Sequence, residues 1–139
     1  MNKKVIVIVV LAVLVFAAAL TTFILVILNR EGTLSFSGSN SGMSSTQQDN
    51  GFTINAQRVN GRNRMHVNFS TTNLNSLQVN NTNTAGRMYL ELTQGDVVRR
   101  TDITGSFNGT IDTSAFEPGR VTVRVIYERA EGVNISVRW

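Results

Sequence analysis

The chain changes from one continuous apolar run near its N-terminus to alternating apolar and polar positions over its second half. Val5 to Leu28 form a run of 24 residues whose only polar members are Thr21 and Thr22. At about 1.5 Å per residue a helix of this length spans about 36 Å, enough to cross a hydrocarbon core of about 30 Å. A single segment in lipid satisfies its own backbone hydrogen bonds as a helix. Residues 1–28 therefore predict one transmembrane anchor.

The flanks of this run predict its orientation. Lys3 and Lys4 precede it, and basic residues tend to stay on the cytoplasmic side. We therefore expect a single-pass protein of the cytoplasmic membrane, with its N-terminus inside and its C-terminal domain extracytoplasmic. The alternative is a signal peptide cleaved after the small residues 17–19, which gives a secreted protein. Cleavage there leaves the apolar segment 20–28 on the mature chain, so the uncleaved signal-anchor is favoured.

Residues 29–50 separate the apolar run from the alternating region. They contain six Ser, three Gly and only three apolar residues, Leu34, Phe36 and Met43. This composition predicts a flexible tether with a reach of about 26 Å, which keeps the following domain near the membrane. The alternation from Leu34 to Ser37 leaves open an extra edge strand there.

Apolar and polar residues alternate through residues 51–139, with no helical periodicity. Turn signals recur every 8–12 residues or so, which separates about seven short strands. The pattern predicts an all-β extracytoplasmic domain, a small antiparallel β-sandwich.

Three turn signals predict hairpins in this domain. Asn60-Gly61 suits a two-residue type I′ turn, which pairs Val59 with Arg62 and places the apolar residues of both strands on one face. The other two signals lie at residues 95–96 and 130–132.

The second and third hairpins predict how charges face one another. The turn at residues 95–96 places Glu91 opposite Arg100, a favourable cross-strand pair. The turn at residues 130–132 places Arg124 opposite Arg138, a like-charge pair. With Arg62 and Arg64 on the outer face of the first hairpin, this second pair gives two clusters of guanidinium groups on the outer surface.

The stretch from residue 111 to residue 125 has an apolar residue, Phe116, before Pro118 and Gly119, followed by an alternating strand. It resembles the corner before a late strand in fibronectin type III and bacterial immunoglobulin-like domains. The chain lacks the corner Tyr and the early-strand Trp that such domains often carry. The resemblance implies a β-sandwich and no particular activity.

Composition excludes several chemistries. The chain has no cysteine, so disulfides, thiolate catalysis and zinc–thiolate sites are excluded. The one histidine, His66, falls on an outer face with no carboxylate placed to orient it. No nucleotide, zinc or EF-hand spacing occurs. We therefore predict no catalytic residues, no metal ligands and no cofactor, and we leave a hydrolase that uses scattered carboxylates as the least favoured alternative.

Eleven arginines and nine carboxylates follow the apolar run, a net charge of +2. That balance is too mild to predict a nucleic-acid partner. Arginine is nevertheless suited to phosphate and carboxylate, and an exposed Tyr can stack on a sugar. An ordinary solvated face explains the same residues more plainly. The candidate binding residues are Arg62, Arg64, His66, Tyr89, Arg124 and Arg138.

These observations predict a membrane-anchored, surface-displayed, non-enzymatic binding module for an anionic or polysaccharide ligand near the membrane. The alternative is an accessory or structural subunit of a membrane complex, with a protein partner. An exposed arginine cluster in a concavity favours the first. A flat apolar patch or an open strand edge favours the second.

Overall fold

The computed structural model describes residues 2–28 and 32–139, and its contacts divide the chain into two compact units, 1–30 and 31–139. The first unit holds one helix, and the second holds the strands. The predicted boundary after residue 28 lies close to this division, while residues 29–31 of the predicted tether lie outside the described residues.

Helix α1 spans Lys3–Leu28 and confirms the helix expected from the apolar run. Its segment Lys3–Leu25 has a mean hydropathy of 3.0, and it is long and apolar enough to cross a membrane. The hydroxyls of Thr21 and Thr22 donate to backbone carbonyls one turn earlier, at 2.8 and 2.9 Å. The two polar side chains in the run are thus satisfied within the helix itself.

The second unit is a single antiparallel sheet of eight strands, with one short helix. The all-β, antiparallel prediction is confirmed. About seven strands were expected within residues 51–139, where the structure has six, and two more lie within residues 35–48. The elements are β1 (Ser35–Ser41), β2 (Ser44–Gln48), β3 (Gly51–Phe69), α2 (Thr71–Asn75), β4 (Gln78–Thr82), β5 (Ala85–Gln94), β6 (Val97–Asp102), β7 (Ser106–Thr110) and β8 (Gly119–Arg138).

Two long strands, β3 and β8, pair along their whole length and form the centre of the sheet. The other strands flank this pair in two groups. One group gives the order β2-β3-β8-β4-β7, here called half A. The other gives the order β1-β3-β8-β5-β6, here called half B. Each half presents its own outer face to solvent.

The central pair bends strongly between the two halves. Phe52 and Phe69 lie at opposite ends of β3, about 56 Å apart if the strand were straight. Both rings nevertheless contact Trp139, with centroids 6.3 and 5.6 Å from the indole. The bend coincides with a register shift between Val59 and Gly61 and with a positive φ of 51° at Arg129. The two ends of β3 therefore meet on the buried side of the sheet.

The alternation correctly predicted which side chains are buried. The apolar positions of both central strands form one core cluster, except Ile126, which lies on the outer side. Most of their polar neighbours face outward, but Asn63 is buried and accepts a hydrogen bond from the Tyr127 hydroxyl. The buried residues of β3 are Phe52, Ile54, Ala56, Val59, Met65, Val67 and Phe69.

The first and third predicted hairpins are wrong. Asn60-Gly61 lies within β3, which continues through it. At the register shift beside it, Glu128 and Arg129 of β8 lie opposite the single residue Asn60, so the bulge is in β8. Residues 130–132 likewise lie within β8.

Gly61 and Gly132 have positive φ values of 142° and 59° inside these strands. Glycine tolerates positive φ in a strand as well as in a tight turn, so both residues gave a local turn signal. The second hairpin is confirmed, with Glu91 opposite Arg100.

The prediction of a flexible tether over residues 29–50 is also wrong for most of that segment. Residues 35–41 and 44–48 are strands β1 and β2, both paired with β3. The alternative edge strand is confirmed from Ser35 onward. Edge strands are held by backbone hydrogen bonds, so a segment rich in Ser, Gly and Asn can still cover the open edge of a long strand.

Candidate functional site: an arginine-lined cleft on half B

The outer face of half B, here called the arginine face, carries most of the candidate residues in two neighbouring rows. Each row consists of residues that are directly paired across five strands. Directly paired residues on a sheet point to the same side, so each row lies on one face. The first row is Ser35, Arg64, Arg124, Glu91 and Arg100, and the second is Ser37, Arg62, Ile126, Tyr89 and Asp102.

A cleft opens at the β1 side of this face. Its walls are Arg62 and Arg64 from β3 and the serines directly paired with them, Ser35 and Ser37, and it encloses about 240 Å³. Both guanidinium groups are exposed. We call these four residues the arginine cleft. Two guanidiniums and two hydroxyls meet here in a concavity, which is the feature that a binding module was expected to show.

Ion pairing distinguishes the cleft from the rest of the face. Glu91 accepts hydrogen bonds from Arg100 at 2.8 Å and from Arg124 at 3.3 Å, and Arg124 also donates to Thr93 at 3.0 Å. The remaining ion pair of the described chain joins Arg58 to Glu131. Within residues 2–28 and 32–139, no carboxylate pairs with the cleft arginines. The cleft is therefore locally positive, although the face as a whole is mixed.

Arg124 and Arg138 are not opposed, contrary to the prediction. Arg124 pairs with Arg64 on one side and Glu91 on the other. Arg138 pairs with Gly51 and Gln78 on half A, so it belongs to a different surface. The predicted like-charge pair is wrong because it assumed a hairpin at residues 130–132, where β8 continues.

Tyr89 lies half-buried in the middle of the arginine face. The guanidinium of Arg100 sits over its ring, 5.4 Å from the centroid. A cation in this position is attracted by the negative face of the ring and covers the surface that a sugar would use. The Tyr89 ring therefore supports Arg100, and that face of the ring is not open for stacking.

His66 lies beside the cleft and is bonded to the sheet. Its Nδ1 is 3.0 Å from the hydroxyl of Thr122. Burial lowers the pKa of His66 below its ordinary value of 6.5, and nearby Arg120, Arg64 and Arg124 lower the pKa further. The imidazole is thus held neutral, which suits a structural hydrogen bond.

This environment predicts a pH dependence of stability. Well above pH 6.5 the imidazole is mostly neutral in both the folded and the unfolded chain. As the pH falls from there towards the lower folded-state pKa, the unfolded chain takes up the proton first and stability is lost. His66→Gln should remove this loss. The measurement is the change in the urea midpoint of unfolding between buffers at about pH 7.5 and about pH 5.5. An equal change in both proteins would contradict the assignment.

The carboxylates at two turns have local structural partners. Asp102 accepts a hydrogen bond from the backbone N–H of Thr104 at 2.9 Å, and Asp112 accepts one from Ser114 at 3.0 Å. Hydrogen bonds from the side chain and then the backbone of Thr104 lower the pKa of Asp102, and those of Ser114 lower the pKa of Asp112 in the same way. Both residues thus serve the turns in which they lie. Among the residues that the structure describes, no group of three or more His, Asp and Glu side chains could hold a metal ion.

The structure brings five of the six candidate residues onto one face and leaves Arg138 apart. Sequence reasoning missed Ser35 and Ser37, because both fell in the segment interpreted as a tether. The signal that could have found them was the alternation at residues 34–37.

Comparisons with known proteins found no relative of the chain. No protein-family model matches it, and neither a curated protein nor a solved structure gives a significant match. Any function must therefore be argued from the site itself.

Proposed function

We propose that this chain is a membrane-anchored, non-enzymatic binding module whose arginine cleft holds an anionic group of a surface polymer. The observation that carries the proposal is the concavity formed by Arg62, Arg64 and their paired serines. A resemblance to immunoglobulin-like sandwiches, which the corner at Phe116 suggested, remains part of this proposal and adds no activity.

The geometry of the cleft suits phosphate or carboxylate. Arg62 and Arg64 are two residues apart on one strand, so their side chains leave the same face about 7 Å apart. Each guanidinium can donate two parallel hydrogen bonds to one anionic group. The hydroxyls of Ser35 and Ser37 lie across from them. The Ser35 hydroxyl donates to the backbone carbonyl of Arg64 at 3.2 Å and can only accept from a ligand, while Ser37 can add a donor. An anionic polymer with regularly spaced charges can engage both arginines at once.

The anchor adds to this arrangement. Helix α1 supplies the span, and Lys3 and Lys4 favour a cytoplasmic N-terminus, which leaves the sheet outside. Confinement to a membrane raises the effective concentration of a module relative to ligands at that surface. A weak, exposed cleft can therefore be functional when many copies face the same polymer.

A subunit of a membrane complex has only one of its two expected features. Among the described strands, β1, β2, β6 and β7 each pair on one side only, so open strand edges are present. Such a role favours an exposed apolar patch on the sheet unit. Val98 is the only large apolar side chain exposed within residues 32–139. A single exposed valine on the edge strand β6 is too small for that interface.

The proposal predicts a specific effect of charge reversal. The full chain, reconstituted in uncharged lipid nanodiscs, should bind polyphosphate, and rising salt should weaken the binding. Arg62→Glu combined with Arg64→Glu should lower the affinity at least about 100-fold, because it removes charge-assisted hydrogen bonds and adds repulsion. Equilibrium dialysis measures the affinity. Cross-linking in intact cells should then recover a surface polymer through the cleft.

The matched control is Arg58→Glu combined with Arg99→Glu. It changes the net charge by the same amount at exposed positions outside the arginine cleft. If the two double variants lose affinity equally, binding reflects net charge alone and the cleft is not a site. Recovery of a protein, with no polymer, would overturn the proposal in favour of a complex subunit.

A further inference from the structure

The outer face of half A has a chemistry unlike that of the arginine face. Three neighbouring rows cross its five strands in continuous register. We call it the amide–hydroxyl face. The rows are Ser44, Asn55, Asn134, Thr82 and Ser106; Thr46, Thr53, Ser136, Asn80 and Asn108; and Gln48, Gly51, Arg138, Gln78 and Thr110.

This face is built almost entirely from carboxamides and hydroxyls. It carries one guanidinium, Arg138, and its rows contain no carboxylate and no apolar side chain. The corresponding rows of half B contain arginines, acids, an isoleucine and a tyrosine. The two halves share their central strands, so the contrast is specific to the face.

The polar groups of this face are not used to hold the fold together. None of the side-chain hydrogen bonds in the described chain involves a side chain of the three rows. Nearly all of these side chains are exposed. Their donors and acceptors are therefore available to a ligand.

The face also contains a concavity. Gln78, Asn80, Asn108, Ser136 and Arg138 line a groove of about 210 Å³ along β4 and its two neighbours. Three carboxamides, one hydroxyl and one guanidinium therefore point into one groove. Arg138, which stood apart from the other candidate residues, is the cation of this second site.

We propose that the amide–hydroxyl face binds an uncharged glycan chain, with its tightest contacts in this groove. Carboxamides and hydroxyls each donate and accept hydrogen bonds, as the hydroxyls of a sugar do. The planar fork of Arg138 can donate to two neighbouring sugar oxygens. A nearly uncharged face complements an uncharged ligand, since each buried charge without a partner would weaken binding.

Other occupants fit less well. A stable protein interface has an apolar and aromatic core, which these rows lack. A polyanion needs several cations, and this face has one. The glycan site uses residues distinct from those of the arginine cleft, so either proposal can fail without the other.

The test uses the full chain in uncharged nanodiscs, titrated with chitohexaose and, in parallel, with cellohexaose. Calorimetry should show binding of at least one, with an affinity that salt leaves unchanged. Asn80→Ala combined with Asn108→Ala should lower that affinity at least about 10-fold, or roughly 1.4 kcal/mol. The matched control, Asn40→Ala with Asn68→Ala, removes two exposed amides outside the face and should leave the affinity unchanged.

Charge reversal at Arg62 and Arg64 should also leave glycan binding unchanged. A loss there would place the glycan in the arginine cleft and overturn the proposal. It is equally overturned if neither hexasaccharide binds, or if the Asn80 and Asn108 variant binds as tightly as the parent. Thermal unfolding of that variant should match the parent, because both side chains are exposed. Self-association that this variant abolishes would assign the face to a second copy instead.

Discussion

Replacing Trp139 with alanine is expected to lower the free energy of unfolding by about 3–5 kcal/mol, the usual cost of truncating a buried tryptophan. The indole is 7 % exposed and makes edge-to-face contacts with Phe52 and Phe69. Through these contacts the indole packs against both ends of β3. Its removal therefore leaves a cavity between segments that the bend brings together. Urea titration of the full chain in detergent micelles measures the loss.

Two further variants make this result specific. Tyr89→Ala truncates an aromatic residue on the outer face and should cost about 1 kcal/mol or less, the value of its contact with Arg100. Trp139→Phe should cost much less than alanine, because the indole N–H has no hydrogen-bond partner to lose. If Trp139→Ala costs no more than Tyr89→Ala, then Trp139 does not hold the bend.

Gly86→Ala is expected to destabilise the protein by about 2–5 kcal/mol. Gly86 has a φ of 77°, which costs a residue with a side chain about 1–2 kcal/mol. A methyl group there would also overlap the backbone carbonyl of Arg129 on β8. This strain adds about 1–3 kcal/mol. The same urea titration in detergent micelles measures the change.

The natural control is Gly95→Ala. Gly95 also has a positive φ, 56°, but a methyl group there meets no atom within 4 Å. It should lose only the conformational term of about 1–2 kcal/mol. An equal loss at both glycines would mean that β5 does not approach Arg129 closely at the bend.

The sequence predicted the parts of the fold that depend on neighbours along the chain. The hairpin at residues 95–96 joins strands that are adjacent in sequence, so its turn residues fixed the register and the Glu91–Arg100 pair. Alternation alone identified which side chains are buried, because burial depends on the face and not on the partner. Both kinds of signal are local.

The pairing of β3 with β8 could not be predicted in this way. Glycines with positive φ, such as Gly61 and Gly132, occur in hairpin turns and also within long strands, and only the distant partner strand decides between the two. The same limit applied to the candidate sites. The arginine cleft needs β1, which pairs with residues about 20 to 30 positions away, and the amide–hydroxyl face needs five strands in register.

The long β3–β8 pair also determines the order in which this sheet can form. Gly51 pairs with Arg138 and Phe69 with Gly119, so every central contact joins distant parts of the chain. Strands β4 and β5 both pair directly with β8, which follows all the other strands. During synthesis the edges of β4 and β5 that pair with β8 therefore remain unpaired until β8 has been synthesised. Such non-local topologies fold on the slow scale of milliseconds to seconds, and the core of this sheet can be completed only after its last strand has been synthesised.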